Sequence, residues 1–89
     1  MDTSAENRRV CWHSRRGMLE LDLLLAPFAE AVYPDLDAGA QEAYRALLRE
    51  EDTDIFDWLV NRYPVPDPSL TAIVEHIQGY GRPPSVDTD

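Results

Sequence analysis

The stretch DAGAQEAYRALLRE, residues 37–50, decides the fold. Ala40, Ala43, Tyr44, Leu47 and Leu48 recur at i, i+3, i+4, i+7 and i+8, which is one apolar stripe of an α-helix. Asp37 stands just before the stripe. There its side chain can accept a hydrogen bond from the free backbone N–H groups of the first turn. A helix with one apolar stripe must bury it against something, and the neighbouring segments offer the same pattern. Upstream, Leu21, Leu24, Leu25, Phe28 and Val32 share one face of a helix expected over residues 18–33. Pro27 lies inside that helix, where it removes a donor and crowds the carbonyl of Leu23, so a bend is expected there. Further upstream, residues 4–15 predict a first, weakly amphipathic helix with Gly17 as its stop. Downstream, Asp52 is placed to cap a short helix to about Asn61 that buries Ile55, Phe56, Trp58 and Leu59. After the linker Pro64-Val65-Pro66, Asp67-Pro68 has the form of an N-cap followed by a first-turn proline. A fifth helix then carries Leu70, Ile73, Val74 and Ile77 and stops near Gly79–Gly81. Strand patterns are absent. The expectation is an all-α protein, a compact bundle of five short helices forming one domain over residues 1–82, with residues 83–89 as a disordered tail.

Composition narrows the function. The sequence has 89 residues, a hydrophobic fraction of 44% and a net charge of −9. A chain of this size buries a thin core and has little interior space for an enclosed active site. All eight basic residues are arginine. Four of them, Arg8, Arg9, Arg15 and Arg16, lie in the first 20 residues, so that segment carries a net +1 and the remainder −10. The acidic balance argues against a nucleic-acid partner, while the uneven charge suits steering toward a charged protein surface. Cys11 is the only cysteine, so no intrachain disulfide can form, which fits a reducing compartment such as the cytoplasm. No apolar run approaches the length needed to span a membrane, and no signal-peptide core is visible.

Few residues suggest chemistry of their own. Cys11 and His13 are near in sequence, but two positions apart on a helix they point in different directions. The acidic run Glu50, Glu51, Asp52, Asp54, Asp57 lacks the glycine and the closing glutamate of a calcium loop, and helix capping explains it better. Trp58 belongs with the core, and Trp12 is suited to either core or interface. No phosphate-binding glycine loop is present, and nothing has the form of a dinucleotide fingerprint. The remaining stretch is Arg15-Arg16-Gly17-Met18-Leu19-Glu20-Leu21-Asp22. Locally, Gly17 can serve as N-cap, Glu20 can reach back to the cap N–H as in a capping box, and Arg16 can pair with Glu20 across the turn. The same residues gather a planar guanidinium, a sharp turn and a carboxylate at a loop tip, groups suited to contacting another protein.

Arg16-Gly17-Met18-Leu19-Glu20 matches the R-G-x-x-E motif, and Asp52-Thr53-Asp54-Ile55-Phe56-Asp57-Trp58-Leu59 the acidic-aromatic segment, of the SdhE-type FAD assembly factors. Together with Pro27-Phe28 and Tyr33, the resemblance covers about residues 5–80 in order and spacing. It implies a five-helix bundle that binds the flavoprotein subunit of succinate dehydrogenase, and by extension of fumarate reductase, and promotes its covalent FAD attachment. The factor would not be an enzyme: the flavoprotein's own histidine forms the bond, and no cofactor is held stably by the factor. Arg16, Gly17 and Glu20 carry over as partner-binding residues, with Arg15 and Asp22 beside them. An FAD-binding carrier and a generic helical adaptor are the alternative readings.

Overall fold

The computed structural model describes residues 3–81, with side chains from residue 5 to residue 80. Five α-helices follow one another: α1 (Thr3–His13), α2 (Leu19–Ala31), α3 (Ala38–Leu48), α4 (Asp52–Leu59) and α5 (Pro68–Gly81). A single 3₁₀ turn, Tyr33–Asp35, links α2 to α3. The bundle expected from the sequence is therefore present, with no strand among the described residues. The expected tail, residues 83–89, lies outside them.

The apolar stripes meet as their spacing requires. Leu21, Leu25, Phe28 and Ala29 of α2 are fully buried, and α2 packs against α1, α4 and α5. Tyr44, Leu47 and Leu48 of α3 close the core from another side, and α5 contributes Leu70, Ile73, Val74 and Ile77. Phe28 stacks on Tyr44 with ring centroids 5.4 Å apart, and Tyr33 tilts against the same ring at 5.5 Å. Trp58 is buried, whereas Trp12 is 74% exposed.

Helix ends depart from the sequence reading in instructive ways. α2 runs unbroken through Pro27. Pro27 and Leu23 are both exposed and sit one turn apart, so the carbonyl that loses its donor lies on the solvent side, where water can satisfy it. α1 ends at His13, not at residue 15, and Ser14 ends it instead of Gly17. The Ser14 hydroxyl donates to the Val10 carbonyl at 2.8 Å, beside the Ser14 N–H, which donates to the same carbonyl at 3.0 Å. Its oxygen is also 2.7 Å from the Tyr44 hydroxyl, and Ser14 is completely buried. α4 ends at Leu59, two residues early, because Arg62 adopts φ 60° and turns the chain so that the Tyr63 N–H donates to the Asp57 carbonyl. Two caps fall as expected. Asp37 accepts from the Ala40 N–H at 2.8 Å, and Asp67 accepts from both the N–H and the hydroxyl of Ser69.

Candidate partner-contact site

The residues singled out in the motif lie in the turn between α1 and α2 and in the first turn of α2. Gly17 has φ +83°, the left-handed region open to glycine. A Cβ there would meet nothing within 4 Å, so the need for glycine is a need of the backbone alone. Neighbouring Arg15 is exposed.

Arg16 is not where the local reading put it. Its side chain is only 16% exposed and turns inward, away from Glu20. Nε donates to Asp52 at 2.8 Å, one Nη to the His13 carbonyl at 2.8 Å, and the other to the carbonyls of Leu48 at 2.8 Å and Glu50 at 3.3 Å. His13 and Leu48 are the last residues of α1 and α3, whose final carbonyls have no partner within their own helices. A guanidinium at two helix C-termini satisfies those carbonyls and also offsets the negative ends of both helix dipoles. The carboxylate of Asp52, first residue of α4, completes the set. One side chain thus ties the α1–α2 turn to the α3–α4 turn.

This arrangement corrects three details. The N-cap of α2 is Met18, not Gly17, and no side chain caps it. Glu20 occupies the second helical position and makes no side-chain hydrogen bond among the described residues. The reach-back bond expected of Glu20 is made instead by half-buried Asp22, whose carboxylate accepts the Arg16 N–H at 2.6 Å. Asp52 does not cap α4, whose N-cap is Glu51 with no side-chain bond. Its carboxylate is committed to Arg16.

Glu20 therefore stands exposed on a turn fixed from below, and apolar side chains surround it. Leu19 is 69% exposed and Leu23, one turn along the same helix, 64%. Beneath the turn, the Tyr44 hydroxyl lies 3.2 Å from the Leu25 carbonyl and joins Ser14 to α2. Burial raises the Tyr44 phenol well above its ordinary pKa, and the hydrogen bond with Ser14 opposes part of that shift.

The structure also separates Cys11 from His13. Cys11 lines a groove on the α2 side of α1, and His13 one on the α3 side. Burial raises the Cys11 thiol, with Glu30 adding to the shift, which disfavours the nucleophilic thiolate. No three His, Cys, Asp or Glu side chains converge as a metal site among the described residues, and no described helix is long and apolar enough to cross a membrane.

Comparison with known proteins follows the same residues. The family model described as "Flavinator of succinate dehydrogenase" matches residues 8–81, which includes the whole turn. The FAD assembly factor SdhE of Pseudomonas aeruginosa is 49% identical over 77 residues, 86% of this chain and 92% of the relative. The protein of the same name from Shewanella oneidensis is 41% identical over 75 residues, 84% of this chain and 92% of the relative.

Proposed function

Because the chain belongs to the family of succinate dehydrogenase flavinators, we propose that it is an assembly factor that binds the flavoprotein subunit of succinate dehydrogenase and promotes covalent attachment of FAD there. The observation that carries this reading is the family match across residues 8–81, within which a carboxylate stands exposed on a rigidly braced turn. By the family resemblance, the flavoprotein subunit of fumarate reductase is a second client in this reading. The factor works in the cytoplasm, holds no cofactor of its own and is not the catalyst. It binds the client conformation in which FAD and the client's own attachment residue are already aligned. Populating that conformation lowers the barrier by prepaid orientation, without any reacting group from the factor.

Within the turn the motif divides by role. Glu20, Gly17 and Arg15 face outward and make the contact. Arg16 and Asp22 set the shape of the turn, and Asp52 joins them in that task. Leu19 and Leu23, both exposed, supply apolar area beside the charged contact.

The test is the covalent flavin content of the succinate dehydrogenase flavoprotein, read as in-gel fluorescence, in cells lacking the factor and in cells supplied with it. Supplying the chain should restore fluorescence. Equal fluorescence with and without it would refute the assignment. The purified chain should be colourless, whereas a stoichiometric flavin spectrum would favour an FAD carrier.

A further inference from the structure

Half of the protein's arginines line one groove. Between α1 and α3 runs a cleft of about 660 Å³ bounded by Arg9 and His13 on one bank and Arg45 and Arg49 on the other, with Val10 and Leu48 as its floor. Arg16 closes one end and Glu6 the other. In a chain of net charge −9, gathering four of eight arginines here is a concentrated exception.

The two ends of the cleft are already neutralised. Arg16 is paired with Asp52, and Arg45 donates to the Glu6 carboxylate at 3.0 Å. The Tyr33 hydroxyl donates to that same carboxylate at 2.9 Å. Arg9 and Arg49 form no ion pair with any described residue, and both are exposed. The middle of the groove is left with two arginines and a histidine facing one another over an apolar floor.

We propose that this groove receives an acidic segment of the client flavoprotein, carboxylate side chains meeting Arg9 and Arg49. This deepens the functional reading given above and rests on it. Glu6 supplies a precedent within the molecule: a carboxylate entering from a helix is held in this same cleft by a guanidinium and a phenol. The arginines are also spread along the banks. Arg9 and His13, like Arg45 and Arg49, are four residues apart, about 6 Å along a helix axis. That spacing fits successive carboxylates of a peptide better than one compact anion, and planar guanidinium groups bind carboxylates in a bidentate way. Arg16, at the end of the cleft, makes it continuous with the Gly17 turn, so one client surface reaches both.

The experiment measures affinity of the purified chain for the isolated flavoprotein subunit at low and at high ionic strength. The variants are Arg9→Glu with Arg49→Glu, and as charge-preserving control Arg9→Lys with Arg49→Lys. Both positions are exposed, and circular dichroism melts verify folding. The double reversal should weaken binding about ten-fold or more at low salt, an effect that shrinks as salt screens it, while the lysine pair retains most of the affinity. Wild-type binding that the reversal leaves unchanged overturns the groove assignment alone. Absence of wild-type binding overturns the underlying reading and the groove with it. If NMR titration shifts the Arg9 and Arg49 resonances with inorganic pyrophosphate and not with the flavoprotein, the groove is a small-anion site and the proposal is wrong.

Discussion

Two connections in this bundle each carry one left-handed residue, yet they are held in opposite ways. The α1–α2 turn has Gly17 at φ 83°, and the α4–α5 connection has Arg62 at φ 60°. In the first, the bonds reach far along the chain: Ser14 to Tyr44, 30 residues on, and Arg16 to Asp52, 36 residues on. In the second they are local, Tyr63 N–H to the Asp57 carbonyl and Asn61 to the Asp57 side chain. The α4–α5 connection is shaped by its own helix end and by Pro64, Pro66 and Pro68. The rest of the fold imposes the shape of the α1–α2 turn. A contact surface that must present one carboxylate in a defined place needs the second kind of support, because a loose loop would lose entropy on ordering at the interface.

The strongest way to break this contrast is to remove its central tie. Arg16→Ala leaves the carbonyls of His13, Leu48 and Glu50 and the carboxylate of Asp52 without their shared donor. A loss of about 2–4 kcal/mol is expected, between the worth of one hydrogen bond to a charged group and that of a broken buried ion pair. In a domain of this size each kcal/mol lowers the melting temperature by about 4–8 °C. Arg16→Lys should recover only part of this, since one ammonium cannot span four acceptors on three segments. A double-mutant cycle with Asp52→Ala should show coupling of about 0.5–3 kcal/mol. A thermal melt of Arg16→Ala that overlays the wild type would mean that the turn is not braced as described.

A smaller effect sharpens the contrast at the two left-handed residues themselves. Gly17→Ala should cost about 1–2 kcal/mol, the price of placing a Cβ in that conformation, since no neighbour lies within 4 Å to clash. Arg62→Gly should stay within about 1 kcal/mol of wild type in urea unfolding, because relief of strain is offset by a more flexible unfolded chain. A larger loss at Arg62 than at Gly17 would reverse the ranking of the two connections.

The helices were legible because their signal is periodic and local. Tyr44, Leu47 and Leu48 announce the face of α3, and Asp37 and Asp67 announce helix starts, without reference to anything distant. The turn was legible as a motif but not as a mechanism. Nothing in Arg16-Gly17-Met18-Leu19-Glu20 says that the arginine turns inward, since three of its four acceptors lie on residues 48–52 and become neighbours only once α3 and α4 have packed. Local chemistry favoured the nearest carboxylate, Glu20, and the tertiary structure supplied a closer set. Ser14 was missed for the same reason, as its partner Tyr44 is distant in sequence. The hint available was weak: the acidic run places Asp52 at the start of a helix, and a first-turn aspartate is equally well explained by the helix dipole. The α1–α3 groove was hidden in full, because its two banks are separated by more than thirty residues.

The smallest expected effect on stability belongs to Glu20, and it is the most informative for function. Glu20 is exposed and makes no side-chain bond among the described residues, so its contribution to the fold is its charge near the positive end of α2, about 0.3–1 kcal/mol. Glu20→Ala should therefore melt within a few degrees of wild type, where Arg16→Ala does not. At the client interface the balance is reversed. Truncating one member of a desolvated charge pair costs about 2–5 kcal/mol, and each 1.4 kcal/mol is about ten-fold in affinity. Affinity for the flavoprotein should fall by at least about 30-fold, and covalent flavin fluorescence should fall with it. Glu20→Gln, which keeps the shape and removes the charge, should lie between the two. The pair Arg16→Ala and Glu20→Ala then separates bracing from contact: one loses stability, the other loses binding at constant stability. If Glu20→Ala binds and flavinylates like wild type, the outward face of the turn is not the contact, and the bracing by Arg16 serves the fold alone.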